Sequence, residues 1–266
     1  MMSLQLFVCV KQTPSSTSVA VDSTGRIQTD LPMALNPLDE YAVEETLRLK
    51  ERVAGSKSAA LSLGAPSAEE ALRATLALGI DSAVLLCDDA FKGGDSFATA
   101  YLLSMALRKL GAGGPGCFVL TGKQTNDGES GQVGPQIAAW LGWPSVTSVR
   151  KITEVSDASI TVERAVEDGI ETLTLAAPAV LSVTKEINEP RLPSLKGKMA
   201  AKRAAVAKWG ASDLGSDASL IGLSSPCAVA KLSPVPSRAG GEAVPGSTPE
   251  EKAKNLAEKL KELKLL

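Results

Sequence analysis

The sequence contains no histidine, so it lacks the residue that most often transfers protons near neutral pH. This absence excludes a Ser-His-Asp triad, a Cys-His pair and any metal site with histidine ligands. The four cysteines are scattered and form no C-x-x-C pair, which excludes a cysteine zinc site and a dithiol redox centre. Redox or group-transfer chemistry would therefore have to come from a bound cofactor.

Other absences concern partners and location. The chain has 28 basic and 30 acidic residues, and its net charge of -2 gives no indication of a nucleic-acid partner. No apolar run approaches the roughly 20 residues that a membrane-spanning helix needs. The first residues, MMSLQLFVCVKQTP, lack a basic region, so we interpret them as a first strand and not as a signal peptide. We therefore expect a cytoplasmic protein without membrane insertion.

The order of apolar patterns indicates the fold class. With 44% hydrophobic residues in 266, the chain can form a large core. Strand-like runs alternate with helical patterns as far as Leu141, and four strand-like runs follow between residues 146 and 184. Glu167-Asp168-Gly169 between two of these runs is typical of a hairpin. We therefore predict an α/β fold, a doubly wound and mostly parallel sheet with an added antiparallel portion.

Local signals predict individual helices and turns. Asn36 followed by Pro37 is typical of a helix start, and Ser67 with Glu70 fits a capping box for the next helix. A hairpin-like turn is predicted at residues 22–25 and a helix at residues 199–208.

The clearest signal for a ligand site lies in residues 118–141. A short apolar run ends in a Gly-rich polar loop, and a helical pattern follows, so the loop lies at the carboxyl end of a strand, where α/β sheets bind ligands. Unpaired amides and a helix dipole favour an anion there, most simply a nucleotide phosphate. The loop is not a Walker motif, because Lys123 precedes the glycines. An ordinary turn between strand and helix is the alternative.

Two further segments point to the same crevice. Residues 4–10 form an apolar run with a polar exit, so the backbone near Cys9 is expected at a strand's carboxyl end. The turn at residues 88–96 opens another helix, where the hydroxyls of Ser96 and Thr99 can reach a phosphate. For Asn36 and Asp39 the alternative to a ligand role is plain helix capping.

The last third of the chain has a different character. Residues 188–198 combine two prolines, several cations and two leucines, which predicts an exposed loop for a partner or a surface loop with incidental leucines. Residues 209–247 are rich in Gly, Ser, Pro and Ala, and a helix with one leucine seam follows. We divide the chain into a nucleotide-binding domain at 1–208 and an arm with a C-terminal helix at 209–266, which needs a partner subunit.

These segments resemble the small (beta) subunit of electron-transfer flavoproteins over nearly the whole chain. The strongest matches are VCVKQTP (8–14), ALNPLDEYAVEETLRLKE (34–51), GKQTNDGESGQVGP (122–135), VERAVEDGIETLTLAAPAVLSVT (162–184) and INEPRLPSLKGKMAAKR (187–203). The resemblance implies a pocket for AMP or, in electron-bifurcating members, for an FAD whose AMP portion fills the same place. The matching positions are Cys9, Asn36, Asp39, Leu63, Gly122, Lys123, Gln124, Asp127, Ser130, Gly131, Gln132 and Val133. In bifurcating members the segment of Asp95, Ser96 and Thr99 also contacts the diphosphate.

The resemblance also implies partners. The large (alpha) subunit holds the electron-transferring FAD, and the arm of the small subunit embraces it. The loop at 188–199 resembles the family's recognition loop for acyl-CoA dehydrogenases, and the positions expected to contact that partner are Glu189, Leu195, Lys196 and Lys198. In bifurcating members NADH reduces the FAD between the subunits, one electron goes to ferredoxin or flavodoxin, and the other reaches the dehydrogenase through the alpha-subunit FAD. No catalytic acid or base is expected, because the flavin carries the chemistry.

Two alternatives to a bifurcating protein stay open. The run at 185–199 is closer to bifurcating sequences, but residues 176–178 have only the second proline of the usual Pro-x-Pro, and Gly94 stands where Ser is usual. An ordinary carrier with structural AMP is therefore one alternative. The other is an adenine-nucleotide regulatory module of the α-hydrolase type, which would need neither the exposed Leu195 nor the arm.

Overall fold

The computed structural model describes residues 3–15, 32–227 and 240–266. The chain divides into two compact units, Met1–Leu232 and Ser233–Leu266. The hairpin-like turn predicted at residues 22–25 lies outside the described residues.

In the described part of the first unit, strands and helices alternate between residues 33 and 141. The strands are β1 (Gln5–Cys9), β2 (Gln12–Pro14), β3 (Met33–Leu35), β4 (Lys57–Leu63), β5 (Ser82–Leu86), β6 (Cys117–Gly122), β7 (Ser145–Val155), β8 (Ser159–Val166), β9 (Gly169–Ala176), β10 (Ala179–Val183) and β11 (Val206–Trp209). The helices are α1 (Pro37–Arg52), α2 (Glu69–Leu78), α3 (Ser96–Lys109), α4 (Val133–Leu141), α5 (Leu195–Arg203) and α6 (Ala211–Leu214).

A single large sheet organises the first unit. Its order is β11-β5-β4-β1-β6-β10-β7-β8-β9, and neighbours are parallel from β11 to β7. β8 and β9 extend the sheet antiparallel, joined at Glu167 and Asp168 as the hairpin signal predicts. β2 and β3 form a separate antiparallel pair. The predicted mostly parallel α/β sheet with an antiparallel portion is therefore confirmed.

The central strands are mostly apolar because helices cover both faces of the sheet. On one face Leu6 and Val8 of β1 join the core formed with α1 and α2. On the other face the alternate residues Phe7 and Cys9 join the core formed with α3 and α4. Each large apolar side chain buried in this way contributes about 1.5–3 kcal/mol to stability.

The direction of strand addition reverses beside β1. After β1 the chain adds β4 and β5 outward on one side, and then it returns to place β6 on the other side. Such a reversal leaves a crevice at the carboxyl ends of the two strands where ligands bind in open α/β sheets. The segments that follow β1 and β6 meet at this point.

The second unit contains one helix in its described part, α7 (Pro249–Glu262). The side chain of Thr248 accepts a hydrogen bond from the Glu251 amide, which caps the helix start. Four leucines of this unit are exposed, namely Leu256, Leu263, Leu265 and Leu266.

Two local predictions are wrong. Ser67 does not cap a helix, since its hydroxyl donates to Gln12 Oε1 at 3.0 Å and α2 begins only at Glu69. The helix predicted at 199–208 begins four residues earlier, because Ser194 accepts the Gly197 amide as a cap, and it ends at Arg203. Residues 206–209 are instead a parallel edge strand on β5.

Residues 209–225, which composition assigns to the arm, are folded in the structure. Leu214 and Ile221 are buried in the same core as α3, and Ser225 Oγ donates to Asp95 Oδ1 at 2.8 Å. Small residues give this segment little periodicity, and of its large apolar residues Leu214 and Ile221 are buried whereas Leu223 is 87% exposed.

Candidate functional site

Asp39 joins the ends of β1 and β6 to the first turn of α1. Its carboxylate is 5% exposed, and Oδ2 accepts a hydrogen bond of 2.8 Å from the Lys11 amide. A Cβ atom at Gly122 would lie 2.4 Å from Asp39 Oδ1. The end of β6 therefore packs this closely against α1 only because residue 122 is a glycine. Burial raises the pKa of Asp39 to about 7. Hydrogen bonds from Lys11, Asn36 and Gly122 lower this pKa, but the effect of burial is larger.

Asn36 connects α1 to the loop after β6. Its side chain makes no cap hydrogen bond to its own helix. Instead Nδ2 donates to the Gln124 carbonyl at 3.0 Å, and Oδ1 accepts from the Asn126 amide at 3.1 Å. Asn126 Nδ2 in turn donates to the Pro14 carbonyl at 3.0 Å. The capping interpretation is therefore wrong for Asn36, whose side chain orders the loop.

An ion pair holds the same loop to the end of β1. Lys11 Nζ lies 2.6 Å from Asp127 Oδ2. Burial alone would raise the pKa of Asp127, but hydrogen bonds from Lys11 and Thr125 hold it below the ordinary value of an aspartate. Residues 124–127 are therefore held at two places, by Asn36 at the start of α1 and by Lys11 after β1.

Two helix N-termini lie side by side at the crevice. α4 begins at Val133, after Gly131 in a left-handed conformation with φ of +63°. α3 begins at Ser96, and its cap Asp95 accepts the Ala98 amide at 3.0 Å. Ser96 Oγ lies 3.5 Å from Gln132 Oε1, at the limit of a hydrogen bond. Because first-turn amides have no partner within a helix, the two N-termini together provide donors for an anion.

Three buried hydroxyls near the crevice have no hydrogen-bond partner within the described residues. They belong to Thr13, Ser62 and Thr121, which lie just beyond β1, on β4 and on β6. A Cβ at Gly134, in the first turn of α4, would lie 2.8 Å from Thr121 Oγ1, so the helix start approaches β6 closely. Buried polar atoms are normally satisfied, so these orphans fit a site that a polar ligand completes.

The donor set fits an anionic ligand such as a phosphate group. Free amides and hydroxyls of α3 and α4 suit phosphate oxygens, while Cys9 and Leu63 offer apolar surface at strand ends. A cleft of about 200 Å³ adjoins the site, lined by Leu38, Lys123, Gln124, Thr184, Lys185 and Glu186. No group of three His, Cys, Asp or Glu suited to a metal is present among the residues that the structure describes.

The predicted site residues fall into two sets. The first set is linked by direct contacts and comprises Asn36, Asp39, Gly122, Gln124 and Asp127. The second surrounds the starts of α3 and α4 and comprises Asp95, Ser96, Thr99, Ser130, Gly131, Gln132 and Val133. Lys123 lines the adjoining cleft and its amide continues the pairing of β6 with β10.

Cys9 and Leu63 lie at the carboxyl ends of β1 and β4, packed against the core of α3 and α4. Burial raises the pKa of the Cys9 thiol to about 12, with a smaller contribution from Asp39, so the thiol is neutral and not a nucleophile. Both residues can line the crevice but supply no polar contact.

Sequence reasoning missed the side chains of Asn126 and Ser225. Asn126 was passed over as one of several turn residues in its loop. Ser225 lies 130 residues after its partner Asp95 and carries no local signal. The side chain of Lys11, which binds Asp127 in the loop, was also missed.

A second surface lies on the segment before α5 and on the helix itself. Leu192, Leu195 and Met199 are 92%, 76% and 54% exposed. A shallow depression of about 410 Å³ is lined by Leu195, Lys196, Met199, Ala200 and Arg203. Glu189 is exposed in the preceding segment, while Leu195, Lys196 and Lys198 belong to the first turn of α5 and not to a loop.

Comparison with known proteins agrees with this architecture. The family model described as "Electron transfer flavoprotein domain" matches residues 24–214. A relative from Thermoanaerobacterium thermosaccharolyticum, "Electron transfer flavoprotein subunit beta", is 40% identical over 261 residues, 97% of this chain and 98% of that one. The "Caffeyl-CoA reductase-Etf complex subunit CarD" of Acetobacterium woodii is 38% identical and covers the same shares.

A third relative, "Protein FixA" of Bradyrhizobium diazoefficiens, is 39% identical over 87% of this chain and 83% of its own. In the described residues, no helix combines the length and apolarity needed to cross a bilayer. The matches span nearly the whole chain at identities well above the level at which the fold alone is shared. The chain therefore belongs to the electron transfer flavoprotein family, as one of its beta subunits, which work with an alpha subunit.

Proposed function

We propose that this subunit, paired with its alpha subunit, binds FAD in the crevice and serves flavin-based electron bifurcation. Electrons would pass from NADH to ferredoxin or flavodoxin and to an acyl-CoA dehydrogenase. The observation that carries the proposal is the contact between the N-termini of α3 and α4 at Ser96 and Gln132. One helix N-terminus suits the single phosphate of AMP, whereas two adjacent ones suit the diphosphate of a dinucleotide.

The residues of the crevice would divide the work of binding. The amides of Gly131, Gln132 and Val133 would bind one phosphate, and the hydroxyls of Ser96 and Thr99 the other. The bound flavin supplies hydride acceptance and one-electron transfer. The chain supplies position, and its loop is already ordered by Asn36 and Asp39.

The exposed surface at α5 supports an acyl-CoA dehydrogenase as partner. Exposed Leu192, Leu195 and Met199 form an apolar centre, and the cations around it are Lys196, Lys198, Lys202 and Arg203. An apolar anchor with a charged rim is the usual anatomy of a protein interface, and the positive rim fits an acidic partner surface. The name of the Acetobacterium relative places that protein in a complex with a caffeyl-CoA reductase.

The nucleotide content of the heterodimer tests the cofactor. After co-purification with the alpha subunit, the protein is denatured and the released FAD and AMP are quantified. We expect two FAD and no AMP per heterodimer, and removing both hydroxyls of the α3 start, S96A with T99A, should reduce the FAD to one. One FAD with one AMP would contradict bifurcation and favour a simple carrier.

The electron acceptors are tested separately. NADH-dependent reduction of ferredoxin should occur only when butyryl-CoA dehydrogenase and crotonyl-CoA are also present, because the two electron paths are coupled. Ferredoxin reduction without crotonyl-CoA, or none under any condition, would contradict the proposal. The S96A/T99A variant should lose this coupled activity, whereas a control at an exposed serine on the amino end of β5, S82A, should keep it.

A further inference from the structure

Arg191 binds the partner-facing segment to helix α1 by its backbone and its side chain. Its guanidinium donates to both carboxylate oxygens of Glu44, at 2.8 and 3.1 Å, and its amide donates to Glu44 Oε2 at 3.2 Å. It also donates to both oxygens of Glu51, at 2.5 and 3.1 Å. Two carboxylates, two turns apart on the same face of α1, thus hold one guanidinium through paired hydrogen bonds.

Glu44 is buried, which is unusual for a carboxylate. Its side chain is 4% exposed, and 147 residues separate it from Arg191. Burial alone would raise the pKa of Glu44, but hydrogen bonds from Arg191 and Arg48 outweigh burial and hold that pKa below its ordinary value. A buried ion pair is a poor means of gaining stability over an apolar pair, so its use here suggests a demand for geometry.

Further contacts hold the rest of the segment. Asn188 Nδ2 donates to the Tyr41 carbonyl and to Glu45 Oε2, each at 3.0 Å. At the other end, Ser194 caps α5, and a Cβ at Gly197 would lie 2.2 Å from the Ala77 carbonyl oxygen, so α5 lies close against α2. The segment between is therefore attached to α1 by its polar groups while Leu192, next to Arg191, is 92% exposed.

We propose that Arg191 is the positioning residue of the partner surface, and that its clamp on Glu44 and Glu51 preorganises residues 188–195 for docking. This inference rests on the proposed partner role of that surface. A segment that is already ordered loses little conformational entropy on binding, so the clamp strengthens association without contacting the flavin. α1 is a firm support because its own start is bound through Asp39 to Lys11.

The variants are chosen to remove the clamp without leaving a buried charge. Arg191→Met together with Glu44→Gln removes both partners, which avoids the cost of an unpaired buried carboxylate. Arg191→Lys keeps the charge but loses the bidentate fork. The matched control is Arg164→Met with Glu171→Gln, which removes an Arg–Glu pair of 2.8 Å on the β8–β9 hairpin. Leu195→Ala serves as the test of the partner surface itself.

Hydrogen exchange measured by mass spectrometry on the heterodimer reports the order of the segment. We expect amides of residues 188–195 to exchange about tenfold faster in the R191M/E44Q variant, because each decade corresponds to about 1.4 kcal/mol of lost protection. The R164M/E171Q control should leave them unchanged. Unchanged exchange in R191M/E44Q would overturn the proposal whatever the partner.

Electron transfer to butyryl-CoA dehydrogenase reports the consequence. R191M/E44Q should raise the KM for the dehydrogenase about tenfold at unchanged kcat and FAD content, and R191K should lie between it and the unaltered protein. If L195A raises this KM and R191M/E44Q does not, the clamp is refuted and the proposed partner surface stands. If L195A has no effect either, the partner surface is refuted, and the docking role of Arg191 with it.

Discussion

Asp39 Oδ2 accepts the backbone amide of Lys11 at 2.8 Å, and its other oxygen occupies the space that a side chain at Gly122 would need. One buried carboxylate thus joins the exits of the two strands that flank the change of direction in the sheet. The loops after β1 and β6 gain a common attachment to α1 in this way. The position of the crevice follows from this attachment of both strand exits to α1.

The first prediction concerns the space beside Asp39. Gly122→Ala should place a Cβ 2.4 Å from Asp39 Oδ1 and 2.8 Å from the Leu38 carbonyl oxygen. We expect a loss of about 1–3 kcal/mol of unfolding free energy, the usual range for overpacking, together with loss of bound nucleotide. Urea unfolding and nucleotide release measure the two effects. The control is Gly128→Ala, whose Cβ meets only Thr125 Oγ1 at 3.7 Å; equal behaviour of the two variants would refute the steric argument.

The second prediction concerns the dependence of stability on pH. Burial raises the pKa of folded Asp39 to about 7 from the ordinary aspartate value of 3.8, so the folded state holds a proton that the unfolded state releases. The contribution of this group to stability is complete below about pH 4 and decreases as the pH rises toward 7. Asp39→Asn removes this dependence.

Urea unfolding of both proteins at several pH values measures the effect. The stability of the D39N variant relative to the unaltered protein should increase between pH 5 and 7, by at most about 1.4 kcal/mol per pH unit. All other titrating groups are shared and cancel in the difference. A difference that is constant over this range would show that Asp39 is already ionised when folded at pH 5.

The third prediction concerns the side chain of Asn36. Asn36→Ala removes its hydrogen bonds to the Gln124 carbonyl and the Asn126 amide, which leaves both groups without their partner. We expect a loss of about 1–3 kcal/mol and faster release of nucleotide, because the loop loses an attachment. Thr153→Ala, which removes one hydrogen bond to the Thr161 carbonyl in the antiparallel portion, should affect stability alone. Normal nucleotide retention in N36A would contradict the role of Asn36.

The fourth prediction separates strain from binding at the start of α4. Gly131 has a φ of +63° with room for a Cβ, and Gly215 has a φ of +59° with nothing within 4 Å. Replacing either by alanine should cost about 1–2 kcal/mol through the left-handed conformation. Only Gly131→Ala should weaken the retention of nucleotide, which chromatography of the denatured supernatant measures. Equal retention in the two variants would exclude Gly131 from the site.

Much of the central sheet could be predicted from local sequence. The apolar run at residues 4–10 contains β1 with one residue to spare at each end, because a parallel strand covered on both faces is mostly apolar. The edge strand β11 escaped this reasoning, since its residues are half-exposed or exposed and read equally well as a helix end. Its place is decided by pairing with β5, which depends on residues over 100 positions earlier.

The sequence by itself determined the fold class, the crevice at the carboxyl ends of the strands and the family, because each depends on periodicity and motifs within short stretches. Only the tertiary structure decided which partners particular side chains bind. Asn36 reads locally as a helix cap, yet its hydrogen bonds go to a loop 88 and 90 residues away. Arg191 reads as one cation in a basic loop, yet it binds Glu44, 147 residues earlier. Such roles come from contacts between distant parts of the chain, and local sequence carries no physical signal of them.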